Sequence, residues 1–244
     1  MTVRQLAEPQ LQTFDHDYVS DRAFATIVEA IRHDFPNGNF SFLDVGGGRG
    51  FFADRLLEEF PSATCTVLDN AELLLSQNTT HPRKTLVLGS ATEAAHLFPN
   101  DAFGIIFFNS ALHHFVGKSY AETRRIQRDA LAQARLLLAP GGGIIVTEVL
   151  YDGVLIHDLP GYLIYLLTSS SALAPLIKRL GANTAGCGVC FLSSYGWRGE
   201  FRRLGLRESV MYLERTEVTA RWFAIRLRLL AVRSRSQACF WLAS

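Results

Sequence analysis

Residues 42–52 read FLDVGGGRGFF, an apolar run closed by three consecutive glycines and then a fourth. Glycine reaches positive φ at little steric cost and lets another group approach the backbone closely. The stretch therefore predicts a strand, a tight turn that admits a ligand, and a helix. The rest of the chain repeats that rhythm. Strands are expected over 41–45, 64–68 (with Asp69 at its end), 85–88, 103–109 and 144–149. Helical patterns over 21–33, 50–59, 71–76, 92–97 and 120–138 separate them, the first N-capped by Ser20. FGIIFFN, at 103–109, is continuously apolar, as expected of a parallel strand covered on both faces. Alternation of this kind implies βαβ units and a doubly wound, mostly parallel α/β sheet.

An apolar insert follows, at about 151–193, and then a helix over 195–204. Two last strands are expected, over 206–213 and over 222–232, where FAIRLRLLAV alternates. Too few residues join them for a crossover helix, so they read as an antiparallel hairpin that completes a seven-stranded sheet.

Composition narrows the function classes. A net charge of +1 gives no global field toward nucleic acid or anionic lipid. Nine arginines between 202 and 235 form the one basic concentration, but Arg226 and Arg228 read as the solvated face of a strand with no aromatic platform, which argues against RNA. CGVC at 187–190 lacks a second pair or nearby histidines, so it reads as an apolar turn and no metal is expected. The start, MTVRQLAEPQLQTFDHD, has no apolar core of the signal-peptide kind, and scattered cysteines fit a reducing cytoplasm. The uncharged stretch 159–177 is broken by Pro160, Gly161, the 168–171 polar cluster and Pro175 into two short helices, too short to span a bilayer.

Three ligands compete for the glycine loop. A nucleotide P-loop needs a lysine and a hydroxyl residue after the last glycine, and neither follows Gly50. A dinucleotide loop is satisfied by Gly48, Gly50 and Ala53 with Asp69 for a ribose, so a nicotinamide-dependent oxidoreductase stays open on the glycines. Asp44 tips the balance, because its carboxylate repels a pyrophosphate and attracts an ammonium or sulfonium. Asp44, Gly46, Gly48 and Gly50 form Asp-x-Gly-x-Gly-x-Gly, which resembles the first motif of class I S-adenosylmethionine-dependent methyltransferases. The resemblance continues through FFNSALHHF and LLLAPGGGIIVTE, covering about 40–149 and the final strands.

The resemblance implies S-adenosylmethionine as cofactor, with S-adenosylhomocysteine as product. Asp44, Gly46, Gly47, Gly48 and Gly50 would seat it, Asp69 and Asn70 would take the ribose, and Asn109 and Ser110 the methionyl end. Ser90 stands where the family often has an acid on the adenine amine, so backbone around Ser90 and Ala91, or Glu93, would substitute. DVGGGRG and LHH also resemble small-molecule O-methyltransferases related to caffeate and hydroxyindole methyltransferases, which implies a catalytic base at His113, with His114 beside it.

The implied plan is a single domain. It has an N-terminal helical cover (1–39), a cofactor-binding core (40–150), a helical substrate lid (151–193) and a C-terminal helix with antiparallel strands (194–244). Tyr18 is expected to close the site. Tyr162, Tyr165 and Phe191 are expected in the acceptor pocket, which suits an aromatic, polyketide-like or lipid-like small molecule, and the apolar insert offers a homodimer surface. The expected activity is methyl transfer, preferably to oxygen. A non-catalytic protein that keeps the fold as a binding module is the other alternative.

Overall fold

A computed structural model of the chain describes residues 3–216 and 221–243. A short α1 (Glu8–Leu11) precedes α2 (Asp21–Asp34), whose Ser20 side chain accepts from the Ala23 N–H as its N-cap. The chain then enters β1 (Ser41–Val45), α3 (Phe51–Glu59), β2 (Thr64–Asp69), α4 (Glu72–Ser76), β3 (Lys84–Leu88), α5 (Ala94–Leu97) and β4 (Phe103–Asn109). Next come α6 (Tyr120–Leu137), β5 (Leu138–Gly153), α7 (Leu159–Ser169), α8 (Ala174–Arg179), α9 (Ser194–Arg203), β6 (Arg207–Arg215), α10 (Arg221–Leu229) and β7 (Val232–Ala243).

The seven strands lie in the order β3-β2-β1-β4-β5-β7-β6, with the first five parallel and β7 antiparallel to both its neighbours. Helices cover both faces, and each face has its own apolar layer. One is built around Leu43, Ile106, Phe108, Leu131 and Trp197; the other around Ile27, Phe42, Leu56, Val67 and Phe107. Neighbours in sequence, such as Phe107 and Phe108, enter opposite layers because strand side chains alternate. That two-sided burial accounts for the unbroken apolar run in β4.

Three expectations change. Residues 222–232 are not a strand: α10 occupies most of the stretch, and the last strand is 232–243. Arg226 and Arg228 accordingly lie on a helix. The link between β6 and β7 therefore does contain a helix, although β7 still pairs antiparallel with β6. The fifth strand is longer than 144–149. The APGGG segment is a register shift inside it, and its far end, with Tyr151 opposite Arg235, extends beyond the last β4 partner at Thr147. Cys239 is buried within β7 rather than in a tail.

The stretch 159–177 forms α7 and most of α8, separated by a turn. Among the described residues no helix is long and apolar enough to cross a membrane.

Candidate active site

The turn after β1 is made by glycines at positive φ: Gly46 at 73°, Gly48 at 49° and Gly50 at 79°, the last as N-cap of α3. A Cβ on Gly46 would come 2.8 Å from that of Ala111, and one on Gly47 would collide with the Asp44 carboxylate. The loop is fastened from below. The Gly48 N–H donates to Asp69 Oδ2 at 2.9 Å, the Ala71 N–H donates to Asp69 Oδ1 at 2.8 Å, and the Asn78 amide donates to the Gly48 carbonyl. Burial raises the Asp69 carboxyl, and the N–H groups of Ala71, Gly48 and Asn70 oppose that.

Asp44 is 1% exposed, and its pKa is pushed up to about 7. Burial is the main cause; repulsion from Asp17 and Asp69 adds to it, while Asn109 and Lys84 oppose it. Apart from a contact between the two side chains too loose to make a well-formed hydrogen bond, Asp44 Oδ2 and both polar atoms of the Asn109 amide are buried without a partner. Such orphans are rare because each costs about 1–3 kcal/mol. At the same strand end, Ser110 adopts φ 53°, held there as its N–H donates to the Thr147 carbonyl.

These groups face one cavity of about 370 Å³. Asp44, Gly46, Gly47, Gly48, Asp69, Asn70, Ser90, Ala91, Asn109, Ser110, His113, His114, Phe191 and Tyr18 all line it. Gly50, the N-cap of α3, does not, although Arg49 and Phe51 on either side of it do. Tyr162 and Tyr165 also do not line it: they pack against Tyr120, with ring centroids at 5.1 and 5.7 Å, and Tyr165 is buried there. The insert contributes little wall beyond Phe191. The N-terminal segment takes its place, through residues such as Arg4, Phe14 and Tyr18. That segment is anchored at both ends: Gln10 and Asn183 exchange side-chain-to-backbone hydrogen bonds, Arg4 donates to the Cys187 carbonyl at 3.2 Å, and Arg55 donates to Asp17 and to the Val19 carbonyl.

His113 lies on a single 3₁₀ turn after β4 and is 7% exposed. Its Nδ1 is 2.6 Å from Oε2 of the fully buried Glu148, and its backbone N–H donates to Oε1 of the same carboxylate. A carboxylate only accepts, so this contact assigns a proton to Nδ1, which in the neutral tautomer leaves the lone pair on Nε2. The His113 ring stacks on Phe191 at 4.6 Å. His114 differs. Burial, helped by His113, pushes its pKa well down, its Nδ1 is unpartnered, and its ring meets Phe14 edge-on at 5.3 Å. It is a neutral part of the wall.

Sequence reasoning expected Tyr18 in the wall but missed Glu148, Arg235 and the more N-terminal residues Arg4 and Phe14. Glu148 did carry a signal, a lone acid ending the apolar run IIVT. Cys187 and Cys190 are free thiols, and no cluster of metal-ligating side chains occurs among the described residues.

Residues 43–146 match the family described as methyltransferase domain. The ubiquinone/menaquinone biosynthesis C-methyltransferase UbiE of Paracoccus denitrificans is 32% identical over 114 residues, which is 46% of this chain and 44% of that protein. The match thus spans less than half of the relative's length. Among solved structures, an arsenic(III) S-adenosylmethionine methyltransferase from Chlamydomonas reinhardtii superposes with a TM-score of 0.59 at 16% identity, covering 83% of this chain and 62% of that one. The 1,6-didemethyltoxoflavin-N1-methyltransferase of Burkholderia thailandensis, solved with S-adenosylhomocysteine, gives 0.51 at 15%, covering 92% and 80%. At such identities the structures speak to fold alone, and they share this one. In its sheet order, its motifs and the methyltransferase-domain match over residues 43–146, the chain is similar to the class I S-adenosylmethionine-dependent methyltransferases.

Proposed function

We propose that the chain transfers a methyl group from S-adenosylmethionine to a small, largely apolar acceptor, with oxygen the preferred atom. The observation that carries this reading is the pair of orphaned polar groups, Asp44 Oδ2 and the Asn109 amide, in the wall of the cavity beside the glycine loop. An acid acceptor and an amide without well-formed partners fit the ammonium and carboxylate of a methionyl group. Asp69 keeps lone pairs for ribose hydroxyls, and Ser90 and Ala91 border the adenine end. Tyr18 and Phe14 cover the occupant.

When bound, the cofactor supplies an electrophilic methyl on a sulfonium. This chain's residues supply orientation and proton removal. Phe191 offers a flat surface for an aromatic acceptor, and His113 Nε2 takes the hydroxyl proton as the new bond forms. Glu148 fixes the ring and stabilises the imidazolium that results.

The test is a thermal-shift titration. S-adenosylhomocysteine should raise the melting temperature and NADH should not, since only a ligand of the folded state stabilises it. The opposite result would return the site to dinucleotide chemistry. One finding favours carbon as a second acceptor atom: the 32%-identical relative is named a C-methyltransferase. A base that ionises a phenol serves ring-carbon methylation equally well. NMR of the methylated product distinguishes a methoxy from a ring methyl.

A further inference from the structure

The cavity is asymmetric along the sheet. Asp44 and Asp69 at the ends of β1 and β2, Arg49 of the glycine loop, and Arg4 and Asp17 of the N-terminal segment are charged groups of mixed sign, whereas Arg235 enters alone from β7, with β4 and β5 between it and β1. An aromatic track joins the middle to the basic end. His113 stacks on Phe191, the Phe191 ring lies 4.9 Å from that of Tyr151, and the Arg235 guanidinium lies 5.7 Å from the Tyr151 ring centre.

Arg235 is half-buried and held by neutral groups. Its Nε donates to the Tyr151 hydroxyl at 3.1 Å and its Nη1 to the Thr216 hydroxyl at 3.0 Å. Among the described residues no carboxylate comes within ion-pair distance of it, unlike Arg55, Arg124, Arg128 and Arg203. Arg4, also in the wall, spends its Nη1 on two carbonyls of the insert. A partly desolvated guanidinium whose described partners are all neutral is costly, and its remaining donors form a planar fork that matches a carboxylate. Tyr151 and Thr216 fix the fork's direction before any ligand arrives.

We propose that the acceptor is an aromatic acid: its ring lies on Phe191, its carboxylate meets Arg235, and its methylated atom falls near His113. This rests on the methyl-transfer reading for what happens to the occupant, but the anion site is measured by binding alone. The experiment is a ligand-observed NMR titration of salicylate and its neutral amide, salicylamide, with and without saturating S-adenosylhomocysteine. The wild-type protein should bind salicylate at least tenfold more tightly than salicylamide. Arg235→Gln should abolish that preference while S-adenosylhomocysteine affinity and melting temperature hold, and Arg235→Lys should retain part of it. Equal affinity for the two probes in the wild type, no binding of either, or a preference that survives Arg235→Gln would overturn the proposal. If S-adenosylhomocysteine fails to bind while the salicylate preference stands, the methyl-transfer reading falls and the anion site remains.

Discussion

Glu148 shows what one buried carboxylate does for a histidine. The two meet across 35 positions because β5 places Glu148 beneath the turn that ends β4. His113→Ala should keep S-adenosylhomocysteine affinity and lower turnover by about 10²–10⁴-fold, the usual worth of a general base. Glu148→Gln should reduce kcat with little change in KM and shift the pH–rate profile, which a purely structural role would not move. Asp44 makes a separate prediction. Its ordinary pKa is about 4, and the folded chain holds the proton up to about 7. Its ionisation therefore costs stability progressively as pH rises between those values. An ammonium favours the ionised form, so S-adenosylhomocysteine affinity should rise several-fold from pH 6 to pH 7.5, measured by calorimetry. Asp44→Asn should flatten that dependence. Asp44 was legible in the sequence because its neighbours are glycines of a recognisable motif. Glu148 was not, because its partner is distant and a lone acid after an apolar run has many uses.

Among the elements, the core strands were legible and the late ones were not. Ser41–Val45 and Phe103–Asn109 fall where the sequence puts them, since apolar runs bounded by glycine or asparagine leave little choice. FAIRLRLLAV fits an alternating strand and a helix equally well at that length, and pairing elsewhere decides. In the helix Leu227 is buried while Leu229 is 79% exposed. Tyr162 and Tyr165 failed for another reason: helical spacing shows that side chains share a face, not which neighbour they meet. Of the N-terminal cover, Tyr18 and the helix after it were legible; the stretch before Tyr18 was not, because α1 is only four residues long and its surroundings are irregular. Its clasp to the insert through Gln10 and Asn183 suggests a direct test. A chain beginning at residue 14 should stay folded by circular dichroism, since the truncated segment belongs to neither core layer. Its S-adenosylhomocysteine affinity should fall by about tenfold, roughly 1.4 kcal/mol. Unchanged affinity would make the segment a passive flap.

At the scale of the whole molecule, a charged joint holds the insert to the sheet helices. Glu200 on α9 is 1% exposed and accepts from Arg124 and Arg128 of α6 and from Arg203. Arg124 also reaches Asp158, which accepts from the Ser193 hydroxyl and N–H at the start of α9. Removing Glu200 leaves the part-buried Arg124 with Asp158 alone and turns Arg128 and the exposed Arg203 to solvent, so Glu200→Ala should cost about 1–3 kcal/mol in chemical denaturation. Burial raises the Glu200 pKa, and hydrogen bonds from Arg128 and Arg124 outweigh it, leaving the pKa lowered. Its contribution to stability should therefore be present above the ordinary carboxylate range and be lost on acidification below it. The strand order has a consequence for how such a chain is made. β7, the last strand, is not at an edge: it is threaded between β5 and β6. A nascent chain emerging from the ribosome thus holds β5 as an open, apolar edge until residue 243 is free, and it receives Arg235 only then. Such an edge invites pairing with other chains, which makes the interval before β7 inserts, rather than the finished fold, the period of greatest risk of misassociation.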